Sequence, residues 1–387
     1  MAVQEHRRAL LSVQGRLSVR TMATRSTKKD SDPGGRKKKL KETAQEDVLQ
    51  QPEKKAKKTA LTSIERSPTP RNNDVTDAFK ILSLNVAGLR STIDPAKGKA
   101  DNFASVVQEE DPDILFLNEH KLKLDDVDAA TERLKELLPA YEYVHFCCST
   151  AKNGYSGVAA LSKTELDVVE TTFPGNEFAE EGRFLRVDVG NLQKVAVIAV
   201  YVPNSGQTLN RLEDRVKNNG WDRSMEKYIK NLDVPALIIG DLNVAHRPED
   251  IHNMYVRPNF ETMRTTKLSR LATDFEDQYL GLTALKKQAG LTTKERASFT
   301  ELLEEAKLID TFVNFHPEAT GCFTYFSQRA VQNRPSNKGL RLDYVLASND
   351  LLLNNNSDSP ALLDSFILDS DPPISDHVPI GCLLRLP

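Results

Sequence analysis

From Phe79 onward, short runs of Val, Ile and Leu alternate with longer amphipathic stretches. The apolar runs are FKILSLN, DPDILFLNE, SGVAALS, KVAVIAVYVP, VPALIIGDLN, RLDYVLA and VPIGCLLRL, bounded by Pro, Gly, Asn and Asp. Runs of this length and composition predict buried strands. Between them, a helical period predicts helices over 99–110, 126–138, 209–232 and 294–306. This order places the chain in the α/β class, with sheets covered by helices.

Before about residue 76 no apolar period is sustained, and Lys, Arg, Ser, Thr, Asp, Gln and Pro dominate. So little apolar surface cannot offset the entropy of ordering the chain. The pattern therefore predicts a disordered basic tail over 1–76 and one folded domain over 77–387. Charge sharpens the division. Residues 1–60 hold 16 Lys+Arg against 7 Asp+Glu, a net of +9, and the rest hold 36 against 48, a net of −12. The formal total of −3 describes neither part.

Two basic runs, Arg36-Lys37-Lys38-Lys39 with Lys41 and Lys54-Lys55 with Lys57-Lys58, have the form of nuclear-import signals or phosphate-backbone contacts. Solvated linkers carry such runs too. Arg7, Arg8, Arg16, Arg20 and Arg25 with the single acid Glu5 form the pattern of an organelle transit peptide. The expected destination is the nucleus, with the mitochondrion as a second reading. Ser67-Pro68-Thr69-Pro70 reads as a stiff linker.

Composition removes several classes. No apolar run approaches the ~18 residues needed to cross a bilayer. Cys147, Cys148, Cys322 and Cys382 show no CxxC spacing, which gives neither a disulfide framework nor a zinc site. No nucleophile elbow and no GxxxxGK[ST] loop occurs, against acyl transfer and nucleoside-triphosphate hydrolysis.

The polar residues at the strand ends point elsewhere. Asn85 follows ILSL, Glu119 follows DILFLN, Tyr201 follows VAVIAV, and Asp241 with Asn243 follows ALIIG. Asp343 opens DYVLA, and Asp376-His377 precedes VPIGCLL. If the strands lie side by side, these groups meet on one rim. Carboxylates and amides with one His and no Cys are a hard-oxygen ligand set suited to Mg²⁺ or Mn²⁺. Such a cation beside a base and hydrogen-bond donors suits hydrolysis of a phosphodiester.

The ordered motifs LNVAGLR (84–90), LNEHK (117–121), GYSGVAALS (154–162), EGR (181–183), YVPNSG (201–206), RLEDR (211–215), GDLNVAH (240–246), GLRLDY (339–344) and SDHVPI (375–380) closely resemble the exonuclease III family of apurinic/apyrimidinic endonucleases. The resemblance implies a four-layered α/β sandwich of the deoxyribonuclease I kind, two packed mixed sheets flanked by helices. It implies a monomer that incises double-stranded DNA 5′ to an abasic site with Mg²⁺, or Mn²⁺ in its place, and leaves a 3′-hydroxyl. A 3′-phosphodiesterase or 3′–5′ exonuclease activity accompanies it.

Residue by residue, the resemblance makes Glu119 the principal metal ligand, with Asn85 and Asp376 near the metal and Asp241, Asn243 and His377 also within its reach. Asp241 resembles the residue that orients the attacking water, and Asn243 one that stabilises the transition state. His377, held by Asp343, resembles the donor to the scissile phosphate. Tyr201 resembles the phenol at the phosphate, with Asn204 lining the same site. Tyr325, Phe326, Leu340 and Leu342 align with the pocket for a base-free sugar. Arg90, Tyr155 and Arg211 fall at DNA-contact positions, and Arg215, Arg329 and Arg334 are expected on the same cationic face. The remaining histidines and the thiols are expected to be inert.

Four departures stand out. Ala87 occupies a position where the family usually has Asp or Asn, which removes one ligand near the metal. Asn118-Glu119-His120 stands for Gln-Glu-Thr, Leu340 stands for Trp, and an insertion at about 253–288 carries Arg257, Arg264, Lys267 and Arg270 with Tyr255 and Phe260. The insertion reads as a DNA-facing lid or a surface excursion. Two competing functions are another phosphodiesterase of the same fold and a catalytically weakened DNA-binding member.

Overall fold

Strands β1 (Phe79–Asn85) and β2 (Ile114–Asn118) run parallel with Asn85 beside Asn118, joined over one face by α1 (Leu89–Ile93) and α2 (Ala100–Glu110). Antiparallel strands β12 (Ile380–Arg385) and β11 (Ala361–Ile367) extend this sheet on one side. On the other side lie β4 (Val158–Ser162) and β3 (Tyr143–Cys147). The second sheet repeats the plan. Its parallel pair is β7 (Val195–Tyr201) and β8 (Ala236–Asp241), with Tyr201 beside Asp241 and with α4 (Leu212–Val216) and α5 (Trp221–Lys230) between them in the chain. Antiparallel β6 (Phe184–Val189) and β5 (Asp167–Glu170) flank one edge, β10 (Asp343–Ser348) and β9 (Leu308–Asp310) the other. The helices α3 (Val127–Leu137), α6 (Thr293–Glu305), α7 (Thr311–Phe315) and α8 (Asp350–Leu353) complete the described elements. This structure, a computed structural model, describes residues 69–75, 77–191, 194–252, 288–353 and 358–387.

The continuous apolar runs follow from this layering. Successive side chains on a strand point to opposite faces, and here both faces are covered. Ile81, Phe116 and Ala160 of the first sheet meet Val197, Ala199, Ile239 and Val345 of the second. Their neighbours Leu82, Leu84, Leu115 and Leu117 pack outward on Phe103, Val107 and Leu134 of α2 and α3. Ile198, Val200 and Ile238 pack outward on Trp221 and Met225 of α5 and Phe299 and Leu302 of α6. Helix, sheet, sheet, helix is the four-layered sandwich expected from the sequence.

The helix predicted over 209–232 is two helices. Lys217 leaves α4 with a ψ of 163°, and Gly220 sits so close to the Arg215 carbonyl that a Cβ would lie 2.5 Å from it. Five strands escaped the apolar pattern. Of these β3, β5, β9 and β11 are sheet edges; β3 and β5 are partly open to solvent, and the apolar run of the buried β11 is broken by Asp364 and Ser365. The fifth, β6, interleaves Arg186 and Asp188, which bind each other at 2.8 Å.

The folded body reaches back past the expected boundary at 77. Thr69 Oγ1 donates to the Ile367 carbonyl at 2.6 Å, and the Asn72 amide donates to Asp364 at 2.7 Å. Arg71 pairs with Glu110 at 2.8 Å and lies over the Phe366 ring. Of the tail expected over 1–76, residues 1–68 lie outside the described residues, as do residues 253–287 of the insertion expected at about 253–288. No helix among the described residues is long and apolar enough to cross a membrane.

Candidate active site

The two parallel pairs end on the same rim, and the chain turns sharply there. Ala87, Glu119 and Asn243 all have positive φ (+50°, +57° and +49°), a left-handed backbone that non-glycine residues adopt at a cost. Strain concentrated at three rim turns is the first structural mark of a functional site. Gly240, at φ +138°, lets β8 approach β7 just before Asp241, since a Cβ there would stand 2.2 Å from the Val200 carbonyl and 2.5 Å from Asn118 Nδ2. Gly240→Ala is therefore expected to destabilise the protein by roughly 3 kcal/mol or more, read as a lower denaturant midpoint with unchanged slope.

Asp241 lies at the centre. Its Oδ2 accepts from Asn85 Nδ2 at 2.9 Å and its Oδ1 accepts from the Asn243 amide at 2.8 Å. Asn243 is fixed in turn, donating to the Val202 carbonyl at 2.9 Å and accepting from Asn204 at 2.8 Å. Antiparallel pairing sets Asp343 directly beside Asp241. Asp343 binds His377 Nδ1 at 2.8 Å, and His377 Nε2 stands 3.9 Å from Asp241. Thr324 holds the backbone amides of Leu342 and Asp343 at 2.9 and 3.0 Å and so fixes where Asp343 enters.

The electrostatics follow from this burial. Loss of water, then the Asp343 charge, raises the Asp241 carboxyl above the ordinary carboxylate range, against the opposing His377. Burial disfavours charge on His377, yet Asp343, its hydrogen bond, Asp241 and Asp376 outweigh that effect and raise its pKa. The result is a carboxylate made more basic beside an imidazolium held in one orientation.

A cavity of about 970 Å³ opens over this floor. Glu119, Tyr201, Asn204, Asp241, Asn243, Tyr325, Leu340, Leu342, Asp376 and His377 line it, so the structure brings most of the expected site residues together. Asn85 sits just beneath through its bond to Asp241. Tyr325 stacks near His377 with ring centroids 4.9 Å apart. Arg329 and Lys338 stand on the rim and supply positive charge.

Four expected residues lie away from the cavity lining. Phe326 packs in the core between the sheets and does not line the cavity that its neighbour Tyr325 lines. Arg215 is buried and cannot reach DNA. It ion-pairs with Asp222 at 3.1 Å and donates to the carbonyls of Leu242 and Asn243 at 2.7 and 2.8 Å, clamping the turn that carries Asp241. Arg90 is exposed on α1, outside the cavity lining, and pairs with Asp126. Arg334 donates to the Ser370 carbonyl at 2.8 Å and lies near Asp369, so its charge is engaged within the protein.

Arg183 is the residue that the sequence named within EGR and left without a role. It is buried, donates to the Tyr201 carbonyl at 3.0 Å and to Tyr155 Oη at 2.7 Å, and lies 4.7 Å from the centre of the Tyr201 ring. Arg211 also donates to Tyr155, and both guanidiniums bind Glu181. Burial would raise the Glu181 carboxyl, but Arg183 and Arg211 outweigh it and hold it low. Tyr155 and Arg211 thus brace Tyr201 through Arg183. A strand-end aromatic about twenty residues after EGR carried no spatial signal until the sheet placed them side by side.

The oxygen donors fit a hard divalent cation: Glu119, Asp241 and Asp376 present carboxylates to one cavity with Asn85 beside them and no thiol among them. Asp241, Asp343 and His377 also lie close enough to share an ion, their ligand atoms within 4.8 Å of one another. The His377 ring is oriented by Asp343 through Nδ1, which leaves Nε2 facing the cavity. Among the described residues, His246 and His316 are held by side-chain partners away from this set. His246 binds Thr300 at 2.8 Å, and burial lowers its pKa to about 4. Burial also pushes the Cys147 thiol up to about 11, away from the reactive thiolate.

A two-sheet sandwich whose paired strand ends carry a buried carboxylate, an oriented imidazolium and oxygen ligands defines a phosphodiester hydrolase of the nuclease kind. Comparison with known proteins agrees. The profile of the Endonuclease/Exonuclease/phosphatase family matches residues 82–377. DNA repair nuclease APEX1 of Danio rerio is 33% identical over 310 residues, covering 80% of this chain and 83% of that protein. Recombination repair protein 1 of Drosophila melanogaster is 33% identical over 297 residues, 76% of this chain; the chain spans 36% of that relative's length. The crystal structure of AP endonuclease LMAP from Leishmania major superposes with a TM-score of 0.63 at 28% identity, covering 86% of this chain and 96% of that one. The chain belongs to the endonuclease/exonuclease/phosphatase family, within its exonuclease III type of apurinic/apyrimidinic endonucleases.

Proposed function

We propose that this protein hydrolyses the phosphodiester 5′ to an abasic site in double-stranded DNA with Mg²⁺, leaving a 3′-hydroxyl. The observation that carries the reading is the buried chain Asn85–Asp241–Asn243 set against Asp343–His377 on the floor of one cavity. Asp241, its basicity raised by burial, takes up the proton of the attacking water or orients that water in line with phosphorus. A water oxygen–phosphorus bond forms, the phosphorus–O3′ bond breaks, and the O3′ alkoxide takes a proton from solvent water to become the hydroxyl. His377 presents Nε2 to a non-bridging oxygen, with its other nitrogen fixed by Asp343, and so meets developing charge without reorganisation. Asn243 and Asn204, already bonded to each other, and the Tyr201 phenol complete the donor set. A divalent cation held by Glu119, with Asn85 and Asp376 alongside, supplies neutralisation of the phosphate charge.

Tyr325, Leu340 and Leu342 form the apolar wall against which a sugar lacking its base would rest. With Leu340 in place of an aromatic ring, the wall is smaller and admits more varied 3′ ends, in line with accompanying 3′-phosphodiesterase or 3′–5′ exonuclease activity. Arg329 and Lys338 stand where a DNA backbone would pass. The acidic body needs help in attracting DNA, and the +9 segment supplies it together with a nuclear address. The protein acts as a monomer in this reading, since one chain carries every group named.

The test is product analysis on an end-labelled duplex containing one tetrahydrofuran abasic analogue. Incision 5′ to the analogue with a 3′-hydroxyl terminus, present with Mg²⁺ and absent with EDTA, is the expected result. A 3′-phosphate terminus or cleavage that survives EDTA would overturn it.

A further inference from the structure

Glu119 already has a cation. Its Oε1 lies 2.8 Å from the Lys121 ammonium, and that ammonium also reaches the Ala87 carbonyl at 3.4 Å. The local backbone produces the pairing. Glu119 and Lys121 both take left-handed φ values, +57° and +55°, on either side of a buried His120 whose Nε2 faces the Cys147 carbonyl at 3.3 Å. The Lys121 amide is tied to the Ser156 carbonyl at 2.8 Å, so the turn is anchored while the two side chains come together. Across from them Ala87 offers no carboxylate that could draw the ammonium away.

We propose that Lys121 is a resident counter-cation of Glu119, which a divalent metal must displace before Glu119 can hold it. The inference rests on the reading of Glu119 as the metal ligand. The pair is open enough to exchange, with side chains 20% and 38% exposed. An ion pair of that exposure is worth little, up to roughly a fivefold factor in an equilibrium. Lys121 thereby sets the metal concentration at which the site fills, and it is a positioning residue for Glu119.

Direct Mn²⁺ binding to the full chain, read from the electron paramagnetic resonance signal of free Mn²⁺, tests this without turnover. Lys121→Gln is expected to tighten Mn²⁺ binding about three- to fivefold, and Lys121→Arg, which keeps the cation, to bind like the wild type. Lys338→Gln removes a cavity cation not paired with Glu119 and is expected to change affinity less than twofold. A damaged turn would weaken binding, the opposite sign, and so cannot imitate the effect. If Lys121→Gln binds no more tightly than the wild type while Glu119→Gln loses the ion, the counter-cation idea is wrong and the ligand reading stands. Equal tightening by Lys338→Gln would also sink it. If Glu119→Gln binds Mn²⁺ as the wild type does, the ligand reading itself fails.

Discussion

Asp241→Asn is expected to lower kcat for abasic-site incision by about 10³-fold or more while leaving duplex affinity within about threefold. The substitution keeps the shape of the side chain and an oxygen for the Asn243 amide, so the turn after β8 persists. It removes the only group placed between Asn85, Asn243 and His377 that can take a proton from water. Asp241 is also buried against Asp343, a like charge whose repulsion the amide relieves. Thermal stability should therefore hold or rise as activity falls, a separation that a merely folded-state role could not produce. Single-turnover rates, filter binding and a melting curve on the same preparation check all three parts. Retained incision would refute the role assigned to Asp241.

Arg215→Met is expected to cost roughly 3–5 kcal/mol of stability, because it leaves Asp222 buried with its cation gone and Glu295 without the guanidinium 3.8 Å away. The carbonyls of Leu242 and Asn243 lose their donors as well, so the turn bearing Asp241 loosens and kcat should fall with the denaturant midpoint. Urea unfolding at constant slope measures the first effect. The opposing view makes Arg215 a DNA-backbone contact. It predicts normal stability with weaker binding and a salt dependence shallower by about one charge.

These two residues also show what the sequence could and could not reveal. Asp241 was legible because a strand rich in β-branched residues ended in a short polar turn, and the resemblance supplied its role. The central strands β1, β2, β7, β8, β10 and β12 were legible for the same reason: both their faces are buried, so their composition is unbroken. Edge strands β3 and β5 were not, because partial exposure dilutes the pattern, and β11 was hidden by the polar pair Asp364-Ser365. Arg215 was misread since sequence carries charge but not depth, and an arginine that clamps two carbonyls looks like one that awaits a phosphate. Phe326 shows the converse: next to Tyr325 it was assigned the same surface, yet adjacent residues on an extended segment face opposite ways, and its ring packs in the core. Arg183 and Lys121 act only through neighbours that the turns bring to them, and such partners have no spacing to read.

Discrimination between a lesion and intact DNA at this one site is the property most specific to the proposed function. Single-turnover incision should be measured on two duplexes identical except for one tetrahydrofuran residue, at saturating protein with Mg²⁺. Cleavage at the analogue, 5′ to it and at least about 10³-fold faster than at the matching position of the intact duplex, is the predicted result. Equal rates on the two duplexes would contradict the account.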